Sequence, residues 1–183
     1  QNRDLAILIS DAQNERGTGK TTLALKLGEY LDTTEDGLTE EKAFHRPENL
    51  EDAYTEKPKG SSLILDEAER GLSKYRASSS VNKAIRDVIS QGRIEEKYAI
   101  FSLPMSGVLD TDLKSLFDVW ILVQRRGKGM VHYCNYNPYG QHPLYTKKED
   151  ITWKDLDVIP WEVEDVVEVH RRLSSTYKHL TED

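Results

Sequence analysis

The string Gly17-Thr18-Gly19-Lys20-Thr21-Thr22, set between the apolar run Leu5-Ala6-Ile7-Leu8-Ile9 and a helical pattern, constrains this chain more than any other stretch. A strand, a glycine-rich turn and a helix in that order are the setting of a phosphate-binding loop. Glycines let the backbone fold tightly, so that several N–H groups converge on phosphate oxygens. The helix N-terminus adds the positive end of its dipole. Lys20 has the reach and charge for the terminal phosphates, and the Thr21 hydroxyl is a hard oxygen ligand for Mg2+. The full pattern G-x-x-x-x-G-K-[ST] places a glycine where this chain has Asn14. Asn tolerates left-handed backbone better than other residues with a side chain, so the loop is still expected to close. Asn14, Gly17, Thr18, Gly19, Lys20, Thr21 and Thr22 are therefore the candidate nucleotide-binding residues.

A second string, Leu63-Ile64-Leu65-Asp66-Glu67, reads as an apolar strand ending in two carboxylates. Asp66 suits the Mg2+ shell and Glu67 suits the polarisation of a water. Binding alone needs the first string. The second favours hydrolysis, so ATP with Mg2+ is the expected cofactor pair.

Composition sets the limits. A chain of 183 residues with 37% apolar types makes one domain with a proper core. No apolar run is long enough to span a membrane, and no signal-peptide pattern is present. The single Cys134 excludes an internal disulfide and suits a reducing cytoplasm, where the protein is expected, free or virion-associated. Cys134 stands in Val131-His132-Tyr133-Cys134 and is expected to be a buried structural thiol. The net charge of −7 excludes DNA binding through the whole surface. Contact with DNA would run through local basic patches, either Arg125-Arg126-Gly127-Lys128 or Arg70, Lys74 and Arg76. The five histidines show no metal-ligand spacing, and no Gly-x-Ser-x-Gly elbow occurs.

Along the chain, residues 5–10 read as a buried strand and Thr21 to about Leu31 as a helix, with Tyr30 counted on its apolar surface. Lys42 to His45 fits a short strand, and Pro47 to Tyr54 a helix with proline at its start. Leu63 to Leu65 is a strand. Residues 70–79 read as a loop, Ser80 as the cap of a helix with Val81, Ala84, Ile85, Val88 and Ile89 on one side, and Gly92 as its stop. Tyr98 to Phe101 and Val119 to Val123 are further strands, with a short helix from Asp110 to Phe117 between them. Gly127-Lys128-Gly129 turns the last strand into Met130 to Cys134 as a hairpin. Strands alternating with helices predict an α/β fold, mostly parallel, with helices on both faces and an edge hairpin. Ile159, Val163, Val166, His170, Leu173, Tyr177 and Leu180 repeat at alternate spacings of four and three, a heptad stripe on a C-terminal helix. That stripe either packs on its own domain or docks a partner. Residues 1–150 are read as the core and 151–183 as a helical extension of it.

Residues 88–123 carry a further signature, Val-Ile-Ser-Gln-Gly-Arg-Ile-Glu-Glu-Lys-Tyr-Ala-Ile-Phe-Ser-Leu-Pro, then Leu109-Asp110, then Leu116-Phe117-Asp118-Val119-Trp120-Ile121-Leu122-Val123. Together with the first two strings this resembles the HerA/FtsK superfamily of P-loop DNA-translocating ATPases. It is similar above all to the small ATPases of haloarchaeal plasmids and viruses, over about residues 4 to 150. The resemblance implies a RecA-like core, Lys20 and Thr21 on the nucleotide, Asp66 on Mg2+ and Glu67 as general base. It matches Arg93 to an arginine that reaches a neighbouring subunit's nucleotide. A charge at a helix C-terminus is the other reading of Arg93. Ser102 stands where the family usually has Gln, the residue that senses the γ-phosphate. The expected protein is then an ATP hydrolase working as a homo-oligomer, a ring in the family, on DNA. The alternative is a nucleotide-dependent switch or assembly protein with slow turnover and a protein partner, reached through the C-terminal helix.

Overall fold

The apolar runs become the middle of one sheet. The computed structural model of the chain describes residues 4–11, 17–66, 74–91, 96–103, 113, 116–135 and 144–152. Five strands run parallel: β1 (Leu5–Asp11), β2 (Ala43–Phe44), β3 (Ser62–Asp66), β4 (Tyr98–Ser102) and β5 (Val119–Arg125). Two more, β6 (Lys128–Asn135) and β7 (Leu144–Thr152), extend the sheet antiparallel from β5. The order across the sheet is β2-β3-β4-β1-β5-β6-β7.

Successive residues of a strand point to opposite faces, and here both faces are covered. Ala6 and Leu8 of β1 pack with Leu50 and Tyr54 of α2 (Pro47–Glu56) and with Val81 and Ile85 of α3 (Lys74–Gln91). Ile7 and Ile9 pack with Leu23 and Leu25 of α1 (Lys20–Leu31) on the other side. Strands buried on both faces need apolar side chains at every position, which is why β1, β3 and β4 read as unbroken apolar runs rather than alternations. Helix α1 lies close on the sheet: a Cβ at Gly28 would come within 2.7 Å of Ile64 Cδ1.

A buried polar knot fastens the C-terminal end of α1 to the start of β3. The Lys42 ammonium donates to Asp32 Oδ2 at 3.0 Å, to Thr34 Oγ1 at 2.7 Å and to the Gly37 carbonyl at 2.6 Å. Asp32 also accepts the Ser62 backbone N–H at 2.9 Å. Every donor of the ammonium is thus used, which is the condition for burying it. Gly60, at the turn into β3, holds φ at 85°, a left-handed value that suits glycine.

Three expectations change. Helix α3 begins at Lys74, not at Ser80. Serine is only a mild helix breaker, and burial of Val81, Ala84, Ile85 and Val88 extends the helix back through Ser78-Ser79-Ser80. Lys74 and Arg76 are therefore helical. Tyr30 does not join the apolar surface of α1 but is 61% exposed. The hairpin gains a further strand, β7, which takes the sheet edge. Its sequence Leu-Tyr-Thr-Lys-Lys-Glu-Asp-Ile-Thr is rich in charge, a composition that blunts an edge against further pairing. The expected helix from Asp110 to Phe117 falls mostly outside the described residues, as do Gly92, the Cys134 thiol and the heptad stripe. Among the described residues no helix is long and apolar enough to cross a membrane.

Candidate functional site

Strand β1 ends at Asp11, and the chain is next described at Gly17. Gly17 and Gly19 take φ of 77° and 92°. These left-handed values need glycine, and they turn the chain so that Gly19 becomes the N-cap of α1. Having no side chain, Gly19 leaves the first N–H groups of α1 uncapped by its own residue, the arrangement that favours an anion. Thr18 is buried and Lys20 nearly so. The Lys20 ammonium donates to the Asp11 carboxylate and, at 3.4 Å, lies near Thr18 Oγ1.

The second acidic strand meets this loop through one contact. Thr21 Oγ1 donates to Asp66 Oδ2 at 2.9 Å, across 45 residues of sequence. Strand β4 lies between the two motif strands, with Ser102 in register with Ile9 on one side and Asp66 on the other. Ser102 is fully buried, and its Oγ has no hydrogen-bond partner among the described residues. The C-terminal ends of β1, β4 and β3 therefore bring Asp11, Ser102 and Asp66 to one end of the sheet, Ser102 and Asp66 level with each other and Asp11 two residues further along its strand. Ligands of parallel α/β sheets bind beyond these strand ends.

The chain thus has a P-loop NTPase-like fold: strand, glycine loop and helix, with an acid-ended strand two places away in a parallel sheet. No protein-family model matches the chain, and no curated protein matches it. Among solved structures it is similar to the N-terminal domain of zonular occludens toxin from Neisseria meningitidis. The identity is 16%, covering 85% of this chain and 98% of that chain, with a TM-score of 0.42.

Of the residues singled out from sequence, Gly17, Thr18, Gly19, Lys20, Thr21, Thr22, Asp66 and Ser102 fall at this end of the sheet. Asn14, Glu67 and Arg93 lie outside the described residues. A Thr hydroxyl and a carboxylate in contact are hard oxygen donors of the kind Mg2+ selects, so Thr21 and Asp66 fit that ion by chemistry.

Two residues escaped the sequence reading. Asp11 pairs with Lys20, and the signal was there: an acid ending an apolar strand, the same pattern as Asp66. His45, just after β2, donates its Nδ1–H to the Asp66 carbonyl at 2.7 Å. A carbonyl oxygen only accepts, so that contact fixes the proton on Nδ1. No local signal announces His45, because its place depends on β2 pairing with β3.

The basic hairpin tip is placed as well. Arg125 pairs with Lys128, and Arg126-Gly127 form the turn, Gly127 at φ 78°. Arg125, Arg126 and Lys128 are exposed. Since β5 parallels β1 with Val123 opposite Asp11, the tip projects from the same end of the sheet as the glycine loop. Arg70 and the side chains of Lys74 and Arg76 lie outside the described residues.

Proposed function

We propose that the chain binds Mg-ATP at the Gly17–Thr22 loop, hydrolyses it, and works as a homo-oligomeric motor on plasmid or viral DNA. The observation that carries the nucleotide part is the 2.9 Å contact between Thr21 and Asp66 directly beside Lys20. Two strings 45 residues apart meet as a phosphate loop and its acidic partner must. Thr21 and Asp66 would hold Mg2+, which would supply neutralisation of the charge that grows on the phosphates during transfer. Lys20 would turn from Asp11 to the phosphates, and the uncapped N–H groups of α1 would receive phosphate oxygens. Glu67 takes the proton of the attacking water. Ser102, buried between the motif strands, hydrogen-bonds toward the γ-phosphate, and Arg93 reaches the nucleotide of a neighbouring subunit. The hairpin tip with Arg125, Arg126 and Lys128 supports a DNA contact on the nucleotide side of the sheet.

The test is the ATPase rate with and without duplex DNA, alongside mass in solution with ATP present. Stimulation by DNA and a defined oligomer support the motor. Turnover that ignores DNA supports the switch or assembly protein. No ATP binding at all removes both.

A further inference from the structure

Strand β2 is two residues long and pairs with β3 only through Ala43 with Ile64 and Phe44 with Leu65. One step further, on the β2 side of Asp66, the strand pairing has ended, because the chain turns toward α2 at Pro47. The His45 side chain takes over there and completes the ladder, its Nδ1–H on the Asp66 carbonyl at 2.7 Å. The same Asp66 is held at its other end, Oδ2 accepting the Thr21 hydroxyl at 2.9 Å. A peptide group is planar and stiff, so holding its carbonyl sets ψ of Asp66. With ψ set, the direction of the Asp66 Cα–Cβ bond relative to the sheet is set too, and only χ1 and χ2 are left to carry the carboxylate to Thr21.

We propose that His45 is a positioning residue: by holding the Asp66 carbonyl it places the Asp66 carboxylate, and so sets how tightly Mg2+ is held with the nucleotide. This rests on the nucleotide reading above. The donor position makes the idea specific. The amide nitrogen of Asn overlays Nδ1 of His, whereas that of Gln reaches to the place of Nε2. Asn therefore restores the contact and Gln does not.

The test uses the full chain with ATP and Mg2+ as probes. Nitrogen-15 NMR of the nucleotide-free protein should show His45 protonated at Nδ1; a neutral Nε2–H tautomer overturns the proposal. In His45→Ala, the Mg2+ concentration that half-saturates ATP binding should rise about tenfold or more, the usual cost of losing a residue that orients a metal ligand. ATP affinity in EDTA should match the wild type. His45→Asn should return the Mg2+ requirement to within about threefold of wild type, and His45→Gln should behave like the alanine variant. If His45→Ala fails to fold, the Asn and Gln variants carry the comparison alone. A wild type that binds Mg-ATP with all variants matching it overturns the role of His45 only. A wild type that binds no ATP overturns the nucleotide reading and this proposal with it.

Discussion

Lys20 and Thr21 are neighbours in sequence, yet each serves a different carboxylate: Lys20 lies on Asp11 at the end of β1, the strand just before the loop, Thr21 on Asp66 of β3, two strands away from β1. That division separates their mutants. Lys20→Ala removes the point charge for the β- and γ-phosphates, and truncating one partner of a buried charged contact costs about 2 kcal/mol or more. ATP affinity measured by calorimetry should therefore fall at least about thirtyfold. Unchanged affinity would remove the phosphate role of the loop. Glu67→Gln keeps shape but cannot accept a proton. It should bind ATP within about threefold of wild type while turnover drops by about 10²-fold or more. The reverse pattern would move the base elsewhere. At this scale, what could be read in advance was whatever a contiguous string spells, such as Lys20, Thr21 and Asp66. Asp11 carries the same local signal as Asp66, an acid at the end of an apolar strand, and could have been read. His45 takes its place from the pairing of β2 with β3, which leaves no mark in its local string.

Elements were legible where burial on both faces or helical periodicity dictates residue type, as in β1, β3, β4 and α1. They were less so where composition and context disagree. The three serines before Val81 look like a cap, but packing of the helix they precede carries them into α3. The charged residues of β7 look like loop, but an edge strand has only one neighbour and tolerates them. The knot at the end of α1 yields an element-scale prediction. Burial alone would raise the pKa of Asp32, but donors from the Ser62 backbone, Thr34 and Lys42 outweigh it and hold the carboxyl below its usual value of 3.8. Folding therefore favours the ionised form. Its stabilisation is complete above the unfolded-chain value and drains away as pH falls through the native one. Asp32→Asn leaves the Lys42 ammonium buried without its counter-ion and should cost about 3–5 kcal/mol at pH 7. Urea titrations of both proteins should show that difference shrinking toward pH 3, because only the wild type loses a carboxylate there. A difference independent of pH would mean that Asp32 acts through shape alone.

For the whole molecule, the open question is whether one chain completes its own site. If Arg93 serves a neighbour, Arg93→Ala should lose about 10³-fold or more in turnover with ATP affinity little changed, since an arginine supplied in trans acts on charge that develops in the transition state. Wild-type turnover per subunit should rise with protein concentration. Mixing Arg93→Ala with Lys20→Ala protein should recover part of the activity, an intact arginine from the second meeting an intact loop from the first. Wild-type turnover in Arg93→Ala leaves that residue as a charge at a helix end. The position of β4 has a consequence in time as well as in space. Residues 98–102 sit between strands made of residues 5–11 and 62–66, so during synthesis both acid-ended strands emerge before the one that spaces them. Held about 9–10 Å apart in the finished sheet, they have no native edge in common until β4 arrives. A nascent chain halted at residue 91 would carry every letter of both motif strings and still lack the strand that stands between them, so the nucleotide site proposed above would wait on β4.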